Sequence, residues 1–253
     1  MGKNSVAYSF IKKDLQLILR DSFLLFMTFF LMIITIVMRF GLPWLNTYLC
    51  SKNILPCETI TQSLQDFYPM IITWIACFQG ASIIGTVFGF ALLDEKDDNT
   101  IKAMLVVPVS FARQLLYRIC FPILLATIIV IGQVLFIGQA VLPLWKLVLI
   151  SIGASLVAPI VALFFASFAE NKIQGLAYAK FVGLAGWIII LAWFVPEPWQ
   201  WLFVFFPPFL IAKAYWMAYS GNALWLLVLF LGMVLQGGVL VWFINRFKKS
   251  VYK

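Results

Sequence analysis

Glu95, Asp97, Asp98 and Asn99 stand together where charge breaks an otherwise apolar chain, and Thr100 follows directly. At a helix start the oxygens of Asp97, Asp98 and Asn99 accept from the first unpaired N–H groups, and the negative charge suits the positive end of the helix dipole. Pro108 then stops the helix they would begin. Between these signals Ile101, Met104 and Leu105 recur at i, i+3 and i+4, so one narrow face is apolar while Lys102 points elsewhere. The chemistry on offer is docking: a short helix with one apolar side lies either on lipid headgroups or against a partner.

Other chemistries are disfavoured by what the chain lacks. It contains no His, which removes His-based haem or zinc ligation and His general-base catalysis. All ten Asp and Glu residues map to span ends or loops, whereas a proton-driven carrier keeps a paired acid or base deep in its bundle. No G-x-x-x-x-G-K-[ST] phosphate-binding loop occurs, so the chain is not itself an ATPase. Four cysteines divide by place. Cys50 and Cys57 share one polar loop and either pair in an oxidising exterior or remain two free thiols; Cys77 and Cys120 fall in apolar runs.

Of 253 residues 64% are hydrophobic and 11% charged, with mean hydropathy +1.02. That composition specifies an all-α polytopic membrane protein. The net charge of +8 is carried by Lys and Arg scattered between apolar runs, a pattern that fits a lipid bilayer and not nucleic acid.

The elements follow from the runs. Over 5–21, Ser9, Lys12, Lys13, Gln16 and Arg20 mark one helical face and Ala7, Ile11, Leu15 and Ile18 another, predicting an amphipathic interfacial helix that is retained and not cleaved as a signal peptide. Spans of about twenty residues are predicted over 22–42, 69–93, from Arg113 and Arg118 to 138, 147–169, 175–195 and 223–243. A polar loop over 43–68 separates the first two. Gly85 and Gly89 form a GxxxG ridge on the second span, a packing surface with a dimer contact as one possible use. Gln133 in the third span is expected to hydrogen-bond a neighbouring helix. Pro196, Pro198, Pro207 and Pro208 forbid one straight helix over 196–216, which reads instead as broken, re-entrant outer helices rich in Trp and Tyr. Six spans put both termini on one side, where all Lys and Arg fall except Arg39, Lys52, Lys146 and Lys213. That asymmetry makes the side of the termini cytoplasmic, in a membrane expected to be the bacterial cytoplasmic one.

Glu95, Thr100, Ile101, Leu105, Pro108, Val109 and Ser110 stand in an order that resembles the cytoplasmic coupling segment of type-2 ABC export permeases, with Asn99 where Gly is usual and Val107 where Thr or Ser is usual. The resemblance extends over nearly the whole chain and makes it a single type-2 ABC transmembrane domain. It implies that the segment 94–110 lies between spans two and three and docks into a groove on a separate ABC ATPase subunit. Ile101, Met104, Leu105 and Pro108 would form the apolar seat, and Glu95 and Thr100 its polar edge. It further implies a second permease copy, identical or related, with ATP and magnesium held by the ATPase and no cofactor in this chain.

The expected function is that of a permease subunit moving an amphipathic or lipid-like substrate outward. Trp74, Phe78, Phe88, Trp187 and Trp193 on spans two and five are candidates for its path, against the alternative that they face lipid or a neighbouring helix. Two other classes stand beside it: an ion-gradient-driven carrier, and a membrane scaffold whose Glu95 segment recruits a soluble partner.

Overall fold

In the computed structural model the described residues are 22–52, 64–97 and 111–251. The predicted interfacial helix, Cys57, and Thr100, Ile101, Met104, Leu105 and Pro108 of the coupling segment lie outside them. Every described element is helical, and six helical stretches are long and apolar enough to cross a membrane.

Helix α1 (Ser22–Ser51) is the first span. It runs beyond the predicted end at Leu42, because Pro43 removes one backbone bond, the one to the Arg39 carbonyl, without ending the helix. The second span is composite: a 3₁₀ turn (Leu64–Phe67), α2 (Tyr68–Ile72), a π-helical stretch (Thr73–Gly80) and α3 (Ala81–Asp97). The third is α4 (Phe111–Ile137), continuous through Pro122. The fourth divides into α5 (Leu144–Ser155) and α6 (Val157–Phe168) near Pro159, whose missing N–H leaves the Ser155 carbonyl without its helical donor. The fifth divides at Gly186 into α7 (Lys172–Ala185) and α8 (Trp187–Phe194). The proline-rich outer stretch forms a 3₁₀ helix (Trp199–Phe205) and the short α9 (Pro207–Tyr219), and α10 (Trp225–Val251) carries the sixth span on into the basic tail.

The second span is the axis of the bundle, buried almost throughout, while the first and fifth spans turn most of their surface outward. Without water to expel, such helices are held by close packing of small residues. The GxxxG ridge shows this. A Cβ on Gly85 would lie 2.4 Å from the Ala158 carbonyl oxygen, and one on Gly89 would lie 2.4 Å from the Phe165 ring. The ridge read as a packing surface is packed by the chain's own α6, the most extensive neighbour of α3. Polar contacts add register: Gln133 Nε2 donates to Thr35 Oγ1 at 2.9 Å, and Trp216 Nε1 to Thr73 Oγ1 at 3.0 Å.

Candidate functional site

Two places combine polar groups in a way that close packing does not require. The first is the end of α3, the root from which the coupling segment departs. Asp94, Glu95 and Lys96 are consecutive and project about 100° apart around the helix. Each reaches a different element: Asp94 Oδ1 pairs with Lys172 Nζ of α7 at 2.8 Å, Glu95 with Arg118 of α4, and Lys96 Nζ donates to the Ala169 carbonyl at the end of α6 at 2.9 Å.

Local electrostatics explain the arrangement. Two carboxylates at a helix C-terminus oppose the dipole, so each needs a cation, and Asp94 also lies beside the N-terminus of α7, where a carboxylate is favoured. That terminus is capped by Asn171, whose Oδ1 accepts from the Gln174 N–H at 3.0 Å. Glu95, expected on the polar edge of the docking face, is instead buried and ion-paired inside the bundle. The physical reason is its helical phase, which turns it toward Arg118 of α4.

The second place is a cavity of about 410 Å³ between the first, second, third and fifth spans. Its walls are apolar, Met27, Phe30 and Ile34 on one side and Ala179 and Val182 on the other, with Trp74, Gln79, Ser82, Thr86 and Gln133 bringing polar groups. Gln79 Nε2 donates to the Gly183 carbonyl at 3.4 Å, and the Thr86 hydroxyl to the Ser82 carbonyl at 2.8 Å. Trp74 Nε1, Ser82 Oγ and Gln133 Oε1 have no hydrogen-bond partner among the described residues. Unpaired polar groups away from water cost about 1–3 kcal/mol each, so three around one apolar cavity mark a place suited to an amphipathic guest. The volume is in the usual range for small-molecule sites, about 300–1,000 Å³.

The aromatic residues expected to line a path are dispersed. Trp74 lines the cavity and meets Trp187 with ring centroids 5.5 Å apart. Phe78 faces the opposite side of the second span and packs on Phe206 at 5.6 Å. Phe88 packs edge-on against Phe121 at 5.6 Å, and Trp193 against Trp216 at 4.8 Å. Gln79, Ser82 and Thr86 were missed as site residues, although their i, i+3, i+7 spacing puts a polar stripe on one face of an apolar span. Cys50 is disulfide-bonded, whereas Cys77 and Cys120 are free thiols.

Six spans, five of them about a buried second one, with a ligand-sized cavity among four of them, define a polytopic integral membrane protein. The chain belongs to the family described as Fluoroquinolones export permease protein Rv2686c-like, which matches residues 14–244. Among curated proteins it is similar to the fluoroquinolones export permease proteins MT2760 of Mycobacterium tuberculosis (strain CDC 1551 / Oshkosh) and Rv2686c of strain ATCC 25618 / H37Rv. It is 31% identical to each over 164 residues, 64% of this chain and 65% of theirs. The match therefore spans slightly less than two thirds of the relatives' length. No solved structure matches the chain.

Proposed function

We propose that this chain is the permease subunit of an ATP-driven exporter in the bacterial cytoplasmic membrane, with both termini in the cytoplasm. It works with a second permease copy and a separate ATPase that holds ATP and magnesium. The substrate is an amphipathic aromatic molecule, a fluoroquinolone by analogy with the names of the mycobacterial relatives. The observation that carries this reading is the cavity of about 410 Å³ between four spans, with unpaired polar atoms set in apolar walls.

The root of α3 supports the drive mechanism. A push on 94–110 by a closing ATPase dimer enters at Asp94, Glu95 and Lys96, whose contacts on α7, α4 and α6 carry it to three spans at once. Two of those spans, the third and the fifth, also wall the cavity. Movement of the root therefore changes the cavity's shape without passing through the outer helices.

ATP-dependent uptake of a fluoroquinolone into inverted vesicles, followed by the drug's own fluorescence, tests the reading. An Ala179→Phe variant, which fills the cavity, is expected to lower uptake by about tenfold or more, a barrier change of about 1.4 kcal/mol, at equal membrane abundance. Uptake equal to wild type would remove the cavity from the transport path.

A further inference from the structure

On the other side of the second span lies a cavity of about 420 Å³, walled by spans two, four, five and six and by the start of α9. Its lining is almost wholly aliphatic and aromatic; Phe78, Phe164, Phe206 and Phe243 contribute, and Phe181 and Phe205 stand at 66% and 76% exposure on the outward side. Among the described residues, the one in its wall with a polar side chain is Gln236 of α10.

Gln236 is fully buried, and neither its Oε1 nor its Nε2 has a hydrogen-bond partner among the described residues. The residue lies about the middle of an apolar span, where no bulk water can compensate. Gln236 also borders a smaller void of about 10 Å³ beside Thr73 and Cys77. That space is at the lower limit for a single water, and the Thr73 hydroxyl already donates to the Pro69 and Met70 carbonyls and accepts from Trp216. A water is at the margin of fitting there, and the same side chain borders the larger cavity.

We propose that this cavity is a second binding site, distinct from the one assigned to export, for an uncharged long-chain carboxylic acid taken from the lipid phase. A primary amide with both groups unmet is complementary to a neighbour that donates and accepts at once, as a protonated carboxyl does. Among the described residues no titratable side chain lines the cavity, so a carboxylate would lose its hydration with no cation among them to replace it, and the neutral acid is the form that enters. The volume and the phenylalanine walls take the hydrocarbon chain. The outward position of Phe181 and Phe205 puts the mouth toward lipid, which is where such acids dissolve.

The test needs no ATPase and is independent of the export reading. The full chain in phosphatidylcholine nanodiscs is titrated below neutral pH with cis-parinaric acid and with its methyl ester, which keeps the chain and the acceptor but loses the donor. Wild type is expected to bind the acid about tenfold more tightly than the ester, as one hydrogen bond to an otherwise unpaired group allows. Gln236→Leu should bring the acid down to the ester's affinity and leave the ester unchanged, while Ala185→Phe, which narrows the cavity, should weaken both. Equal wild-type affinity for acid and ester, or a preference that survives Gln236→Leu, would overturn the proposal. The wild-type comparison decides even if a variant fails to fold. A fluoroquinolone that displaces the acid competitively would make this cavity part of the export path and overturn its assignment to a lipid-derived acid.

Discussion

At one end of the bundle Asp94 and Glu95 meet charged side chains of α7 and α4, whereas at the other Arg39 and Lys146 meet backbone carbonyls. Arg39 Nη1 donates to the Phe136 and Ile137 carbonyls at 3.0 and 3.2 Å, closing the C-terminal end of α4, and Lys146 Nζ donates to the Ala218 carbonyl near the end of α9 at 3.3 Å. The Tyr215 hydroxyl donates to the Ala140 carbonyl at 2.7 Å at the same end. Even the outer ion pair, Lys213 with Glu197, keeps its acid 62% exposed. The Asp94–Lys96 end, inner in the proposed orientation, gathers two ion pairs and one tie to a carbonyl on a single stretch of α3, whereas the ties of the outer end start from separate elements.

That contrast can be broken by experiment. The largest effect is expected at the inner end: Arg118→Met takes away a cation that pairs with buried Glu95 and should cost about 3 kcal/mol, read as a loss of folded material on heating in detergent. The charge-swapped pair Glu95→Arg with Arg118→Glu should recover much of it, and a single variant as stable as wild type would dissolve the distinction between the two ends. A smaller effect is expected outside. Lys213→Met removes the donor that reaches Gln200 Oε1 at 2.6 Å, but water already reaches Glu197, so the cost should be about 1 kcal/mol in the same assay. A loss equal to that of Arg118→Met would mean the outer tie is as integral as the inner one.

Much of the fold was legible because lipid imposes a simple rule: runs of about twenty apolar residues cross, and clustered prolines do not. The six spans and the broken stretch after Val195 follow from that rule alone. The end of the first span did not, because Pro43 reads as a stop although a helix can carry one missing bond. The π-helical stretch at Thr73–Gly80 has no mark in its residue types, since one extra residue per turn alters backbone hydrogen bonding and not composition. The site was legible in pieces. The acidic cluster at Glu95 was visible, but its partner Arg118 lies 23 residues away, and no local spacing links the two. Gln133 was expected to hydrogen-bond a neighbouring helix and donates to Thr35, whereas its free oxygen beside the cavity is a property of three spans packed together. Gln236 had a signal that went unused: a lone amide within a long apolar run is costly unless it has a task.

The central claim is that an ATPase drives this permease through 94–110. It is tested most directly by purifying the tagged chain from its native membrane and measuring the ATPase that accompanies it, for wild type and for a double Ile101→Asp, Leu105→Asp variant inserted at equal abundance. The account predicts that an ATPase subunit and its activity come down with wild type and are lost with the variant, while both proteins keep their helical fold. Wild-type material that brings down no ATPase, or a variant that retains it in full, would contradict the account.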